Sequence, residues 1–120
     1  LIRFQKANLF IKNNQITDAV LLFNQIHKDK SIDQNYRDIA FLLSIMHRYN
    51  QENSVAKLDN IISTNEHFAI LAKELKAYIL YDDGKTQGAQ NILEEILNSP
   101  NISQRSIERI SNILKTFEKN

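Results

Sequence analysis

Three histidines, His27, His47 and His67, follow one another at intervals of 20 residues, a regularity that invites a shared metal ion. Ligands on one helix share a face only at spacings of three or four residues, and no histidine here has a second at that distance. The 120 residues contain no cysteine, so there is no thiolate zinc set, no thiol nucleophile and no disulfide framework. Carboxylates stand together at Asp82-Asp83 and Glu94-Glu95. Neighbouring side chains on a helix diverge by about 100°, so neither pair converges on one substrate atom as acid–base chemistry requires. Asp82-Asp83, directly ahead of Gly84, reads as turn chemistry. No phosphate-cradling glycine loop, nucleophile elbow or zinc signature is present. The chain is expected to be no enzyme and to carry no metal and no cofactor.

The elements that carry these residues follow from composition and period. With 42% hydrophobic and 24% charged residues the chain is ordinary globular material. Two glycines and one proline are too few turn formers for a multi-stranded sheet, so the expected class is all-α. Apolar residues recur at helical spacing over 1–13, 16–29, 34–50, 53–63, 66–82, 86–98 and 103–118. The joints between them are short and polar, and joints this short force antiparallel neighbours. Gly84 can take the left-handed conformation that ends a helix, and Asp33, Asn65 and Ser103 can accept hydrogen bonds from the free amides of the next one. The longest joint, Lys28 to Asn35, is the expected flexible loop. A net charge of +1 falls short of what a non-specific nucleic-acid binder needs, so nucleic acid is not an expected partner. No run of 18 apolar residues exists. The single methionine is Met46, and Leu1-Ile2-Arg3-Phe4 is already in helical rhythm. The expectation is one domain over residues 1–120, cut from a longer protein whose upstream part can hold an anchor.

Internal repetition separates a closed bundle from a stack of hairpins. Ala7-x6-Asn14-x4-Ala19-x3-Phe23 aligns with Ala77-x6-Gly84-x4-Ala89-x3-Leu93, and Ser44-x6-Gln51-x4-Ala56 keeps the same frame. Small residues recur where the two helices of a hairpin cross closely, so Ala7, Ser44, Ala77, Ala19, Ala56 and Ala89 are expected to be buried. In this frame the steps are 37 (7 to 44) and 33 (44 to 77), with the extra residues in the loop before Tyr36. A two-helix unit of about 34 residues with small residues at its eighth and twentieth positions resembles the tetratricopeptide repeat. Tyr36-Arg37-Asp38-Ile39-Ala40 and Phe68-Ala69-Ile70-Leu71-Ala72-Lys73-Glu74-Leu75 are similar to stretches of its degenerate version in bacterial membrane-anchored proteins, the ancillary subunit of the Sec translocon among them. The resemblance implies a right-handed α-solenoid of three helix hairpins with a C-terminal capping helix.

It also implies a role: a non-catalytic protein–protein interaction scaffold, the soluble domain of an inner-membrane-anchored protein acting in protein assembly, export or quality control. The alternative is a cytoplasmic adaptor or homo-oligomerisation module. The first helix of each pair in this family lines a concave wall. Carried onto this chain, that wall holds Phe4, Asn8, Phe41, Ile45, Arg48, Glu74, Tyr78 and Tyr81, with Ile11, Lys12, Asp38, Tyr49 and Leu71 beside them. Aromatic side chains there suit an apolar helix or an extended apolar segment as protein ligand. Arg48 and Glu74 would set its orientation. The first segment is apolar round most of its circumference, with Leu1, Ile2, Phe4, Leu9, Phe10 and Ile11, and a terminal helix of that kind expects something against it: a missing helix, a client or a second copy. The last segment divides cleanly. Ile107, Ile110, Ile113, Leu114 and Phe117 share one arc, while Arg105, Arg109, Lys115 and Lys119 share the other, so it reads as a cap with a solvated basic face.

Overall fold

The computed structural model describes residues 2–47 and 53–118. Among these residues the chain is all-α, with seven helices: α1 (Ile2–Lys12), α2 (Ile16–Lys28), α3 (Gln34–His47), α4 (Ser54–Thr64), α5 (Ala69–Asp82), α6 (Thr86–Leu97) and α7 (Gln104–Glu118). The chain divides into two compact units, Leu1–Ser54 and Val55–Asn120. Helices adjacent in sequence pack side by side, α1 on α2 and α2 on α3 in the first unit, α5 on α6 and α6 on α7 in the second.

The hairpin turns of the two units are built alike. After α1, the Asn14 N–H donates to the Ile11 carbonyl and the Gln15 N–H to the Phe10 carbonyl; after α5, Gly84 donates to Tyr81 and Lys85 to Leu80. Both are Schellman closures, which satisfy carbonyls that a helix end leaves free and need one left-handed residue. Gly84 supplies it at φ 81° in the second unit and Asn14 at φ 60° in the first. Asparagine is the side-chain-bearing residue that tolerates this region best.

Each turn aims a small residue of the following helix at the preceding one. Ala7 and Ala19 in the first unit, and Ala77 and Ala89 in the second, have no exposed surface. Around the first pair gather Phe23, Ile26 and Ala40, with Phe4, Phe10, Ile11, Leu22, Ile32 and Leu43 partly buried against them. Around the second gather Leu93, Ile96, Ile110, Leu114 and Phe117. Each such aliphatic or aromatic side chain stabilises the fold by about 1.5–3 kcal/mol when fully buried.

Burial differs from the frame expected for the middle helices. Ala19, Phe23 and Ile26 on α2, Ser54, Leu58 and Ile61 on α4, and Ala89, Leu93 and Ile96 on α6 are all buried, a step of 35 residues each time. Ser54 therefore takes the place expected for Ala56, which is exposed. The inner face of α4 runs through Ser54, Leu58 and Ile61 at spacings of four and three, and Ala56 lies about 160° round the helix from Leu58. Nor do extra residues collect before Tyr36. The α2–α3 joint covers 29–33, no longer than the α6–α7 joint over 98–103. That α2–α3 joint is a hydrogen-bonded turn. The Asp29 carboxylate accepts from the N–H and hydroxyl of Ser31 (3.0 and 2.6 Å), and the Arg37 guanidinium donates to the His27 carbonyl (2.9 Å). At the helix starts Asp33 accepts from the Asn35 N–H and Ser103 from the Ser106 N–H, as their residue types suggest.

Candidate functional site

The joint after α2 forms one side of an open recess in the first unit. Its volume is about 630 Å³, and it is lined by Ile2, Arg3 and Phe4 of α1, Ile26 of α2, Asp29, Ser31 and Ile32 of the joint, and Tyr36 of α3. The floor is apolar because Ile26 points inward from the last turn of α2 and Ile32 is an apolar residue in an otherwise polar joint. Phe4 stands between two rings, 6.2 Å from Phe23 and 6.3 Å from Tyr36 by centroid, both tilted. Such arrangements fix a wall geometry beyond what burial alone gives. Tyr36 is 45% exposed and so offers much of its ring to an occupant.

One edge of the recess is charged. Arg3 reaches the Asp29 carboxylate at 3.1 Å. The Ser31 hydroxyl and N–H, then Arg3, hold the Asp29 carboxyl below the usual aspartate range. Arg3, Asp29 and Ser31 are thus tied to one another, which gives the recess a polar lip and an apolar interior. Recesses of this size and lining accept apolar side chains or short apolar segments.

The second unit spends its polar groups differently. On α5 the Glu74 side chain is 7% exposed and takes a bidentate grip from Arg109 of α7, Nε to Oε1 at 3.1 Å and Nη2 to Oε2 at 2.9 Å. The Tyr78 hydroxyl, one turn along α5, donates to the same carboxylate. Burial first, and then the Glu74 carboxylate, push the Tyr78 phenol well above its ordinary pKa. The hydrogen bond to Glu74 likewise raises that of Arg109. Tyr81 lies flat on Phe117 of α7, centroids 4.0 Å apart. A shallow notch lined by Asp59, Ile62, Lys73, Lys76, Ile92 and Glu95 is bridged by two ion pairs, Lys73 to Glu95 at 2.9 Å and Lys76 to Asp59 at 2.7 Å.

The residues assigned to a concave wall do not share one surface. Phe4 is in the recess and Asn8 is exposed on α1. Phe41 and Ile45 are core, 1% and 0% exposed, and have no surface to give a ligand. Glu74 and Tyr81 are engaged by α7, and the Tyr78 hydroxyl is spent on Glu74 of its own helix. Arg48, with Tyr49, lies outside the described residues. Arg109, assigned to a solvated basic face, instead closes on Glu74. Ile32 and Tyr36 were not among the assigned residues. Their sequence signal is an isolated isoleucine between Ser31 and Asp33, with an aromatic four residues later at the start of the next helix.

Among the described residues no three His, Cys, Asp or Glu side chains gather where they could hold a metal ion. Among the same residues no helix is long and apolar enough to cross a membrane. Comparison with protein-family models, with curated proteins and with solved structures finds no match to this chain.

Proposed function

We propose that this chain is a non-catalytic protein-binding module, a stack of tetratricopeptide-like helix hairpins that takes an apolar segment of a partner protein into the recess between α1 and the α2–α3 joint. The observation that carries this reading is the recess itself: about 630 Å³ of open, mostly apolar space with a half-exposed tyrosine on its wall. Apolar side chains of a ligand gain by leaving water there, beside the charged Arg3–Asp29 edge. The solenoid reading is supported by the 35-residue recurrence of buried positions in α2, α4 and α6 and by the matching turns of the two units. The resemblance to membrane-anchored tetratricopeptide-like proteins supports a setting in protein assembly, export or quality control beside a membrane. An upstream run of about 20 apolar residues in the gene would support that setting, and a polar upstream segment would remove it.

A photo-crosslinking residue tests the recess directly. With p-benzoylphenylalanine in place of Tyr36, irradiated cells of the native organism should give a discrete protein adduct. Ile32→Asp in the same background should abolish it while circular dichroism stays unchanged. The same crosslinker at the exposed Gln87 of α6 should give no such adduct. An adduct indifferent to Ile32→Asp, or one formed equally from position 87, would dismiss the recess as the site.

A further inference from the structure

Of the residues that line the recess, Arg3, Ile26, Ser31 and Ile32 are each hydrogen-bonded to Asp29. The Asp29 N–H donates to the Ile26 carbonyl at 3.2 Å, and the Asp29 carbonyl accepts from the Ile32 N–H at 3.0 Å. Its carboxylate takes the Ser31 N–H and hydroxyl on Oδ1, at 3.0 and 2.6 Å, and Arg3 Nη1 on Oδ2 at 3.1 Å. The end of α2, the joint and the first turn of α1 are thus joined at a single residue. An aspartate suits this place, because its short side chain reaches the N–H two residues on and its ionised oxygens only accept. Steps of 35 from Asp29 lead to Thr64 and Ser99, at the ends of α4 and α6. Their hydroxyls donate backwards, to the carbonyls of Asn60 at 2.7 Å and Glu95 at 3.3 Å, four residues earlier in the chain. A carboxylate has no proton to give such a carbonyl. At this helix end the side chain therefore turns outward, to the joint and to α1.

We infer that Asp29 is the positioning residue of the recess: it sets the spacing between α1 and the α2–α3 joint at which an apolar ligand fits. This role rests on the recess being a binding site and adds what holds that site in shape. Two tethers meet at the carboxylate. One folds the joint through Ser31, and Ile32 of the recess floor is the next residue; the other reaches α1 through Arg3, and Phe4 of the recess wall is the next residue. Both therefore act on apolar surface one residue away. The Arg3 tether joins side chains 46% and 30% exposed, so it adds little to folding. A ligand feels it more, because a wall that has to be ordered on binding subtracts that ordering from the affinity.

The probe is N-phenyl-1-naphthylamine, an uncharged apolar dye that fluoresces when it leaves water. Titrated into the full 120-residue chain, it should saturate and shift NMR signals of Ile32 and Tyr36. Asp29→Ala should weaken binding roughly 10-fold, as loss of hydrogen bonds to a charged group does. Arg3→Gln should weaken it about two- to five-fold. Asp29→Asn keeps an amide oxygen for Ser31 and brings no charge to Arg3, so it should match Arg3→Gln. Adding Arg3→Gln to Asp29→Ala should cost nothing more, because the tether is already gone. Asp18→Ala, at an exposed position of α2 outside the recess, should bind as the native chain does, and circular dichroism should be the same for every variant. Native affinity in Asp29→Ala would overturn the inference and leave the recess standing as a site. A loss in Arg3→Gln that Asp29→Asn does not share would overturn it too, since Arg3 would then act without Asp29. A native chain that takes up no dye, or takes it up with no shift at Ile32 and Tyr36, would instead remove the recess as an apolar site, and the role of Asp29 with it.

Discussion

Helices α1–α2–α3 and α5–α6–α7 are two solutions to one plan. They share a turn, hydrogen bond for hydrogen bond, and a buried alanine on each side of it. They part at the first helix of the pair. In the second set α5 is covered on both sides, and even its glutamate is drawn into the structure by Arg109 and Tyr78. In the first set the counterpart of Glu74 is Phe4, whose ring closes one wall of an open recess that Ile2 also lines, while Leu9 is exposed. The same scaffold thus yields one filled copy and one with its apolar surface unspent. Contiguous exposed apolar surface is where binding sites are commonly found, and the proposed recess lies in the first set.

The largest effects should fall where the two sets agree. Phe23 and Leu93 hold one position on α2 and α6, and both are fully buried. Phe23→Ala and Leu93→Ala should each cost about 2–5 kcal/mol, the usual range for emptying a packed core site. Urea unfolding of each variant checks this. A cost below about 1 kcal/mol for only one of the two would mean that the plan is shared in backbone and not in packing.

Next come the ion pairs, where the sets differ. Arg109→Ala leaves the Glu74 carboxylate buried with only the Tyr78 hydroxyl, and should cost about 1–3 kcal/mol, the penalty for a polar group that loses its partner out of water. Arg3→Ala removes a pair whose two side chains are both well exposed, worth less than about 1 kcal/mol. Equal losses in the two variants would erase the distinction between a built-in and a surface carboxylate. Tyr78 sharpens it through pH. A phenol whose proton is held more tightly in the folded chain contributes stability that is complete below its unfolded pKa near 10.0 and is lost as pH rises above that value. Thermal unfolding between pH 9 and 11 should therefore fall more steeply for the native chain than for Tyr78→Phe. Parallel curves would show that the phenol titrates as in water.

The helices and their turns were legible because their signals are local. Gly84 and Asn14 mark helix ends, and both take the left-handed conformation that those ends need. The middle copy was misframed by Ser44. It is buried, but its hydroxyl is spent on the Phe41 carbonyl at 2.6 Å, a local reason for burial that mimics a small residue at a helix crossing. The run Ser54-x3-Leu58-x2-Ile61 repeats Ala19-x3-Phe23-x2-Ile26 and Ala89-x3-Leu93-x2-Ile96, and it held the right register all along. The site was less readable. An aromatic on the inward arc of a helix has the same sequence signature whether it lines a groove or fills a core, and Phe41 fills a core. The pairing of Glu74 with Arg109 spans 35 residues, the same step that separates the buried positions of α2, α4 and α6. The steps of 37 and 33 expected from sequence do not set those two residues against each other.

At the turns the sets agree in backbone and differ in residue, and the expected effects run from moderate down to the smallest of all. At Gly84 nothing lies within 4 Å of where a Cβ would stand, so a substitution there meets no clash and its cost is conformational alone. Gly84→Ala places an ordinary side chain at positive φ and should cost about 1–2 kcal/mol. Gly84→Asn, which copies the first turn, should cost less, because a short polar side chain can bond locally in that region. The reverse change, Asn14→Gly, removes the remaining strain but gives the unfolded chain more freedom to lose, and the two terms oppose each other. Its net effect should stay within about 0.5 kcal/mol of zero. The three denaturation midpoints should therefore order as Asn14→Gly nearest the native chain, then Gly84→Asn, then Gly84→Ala. A Gly84→Asn variant as damaged as Gly84→Ala would mean that the two turns, alike in hydrogen bonds, are not interchangeable, and that Asn14 is held in place by contacts of its own unit.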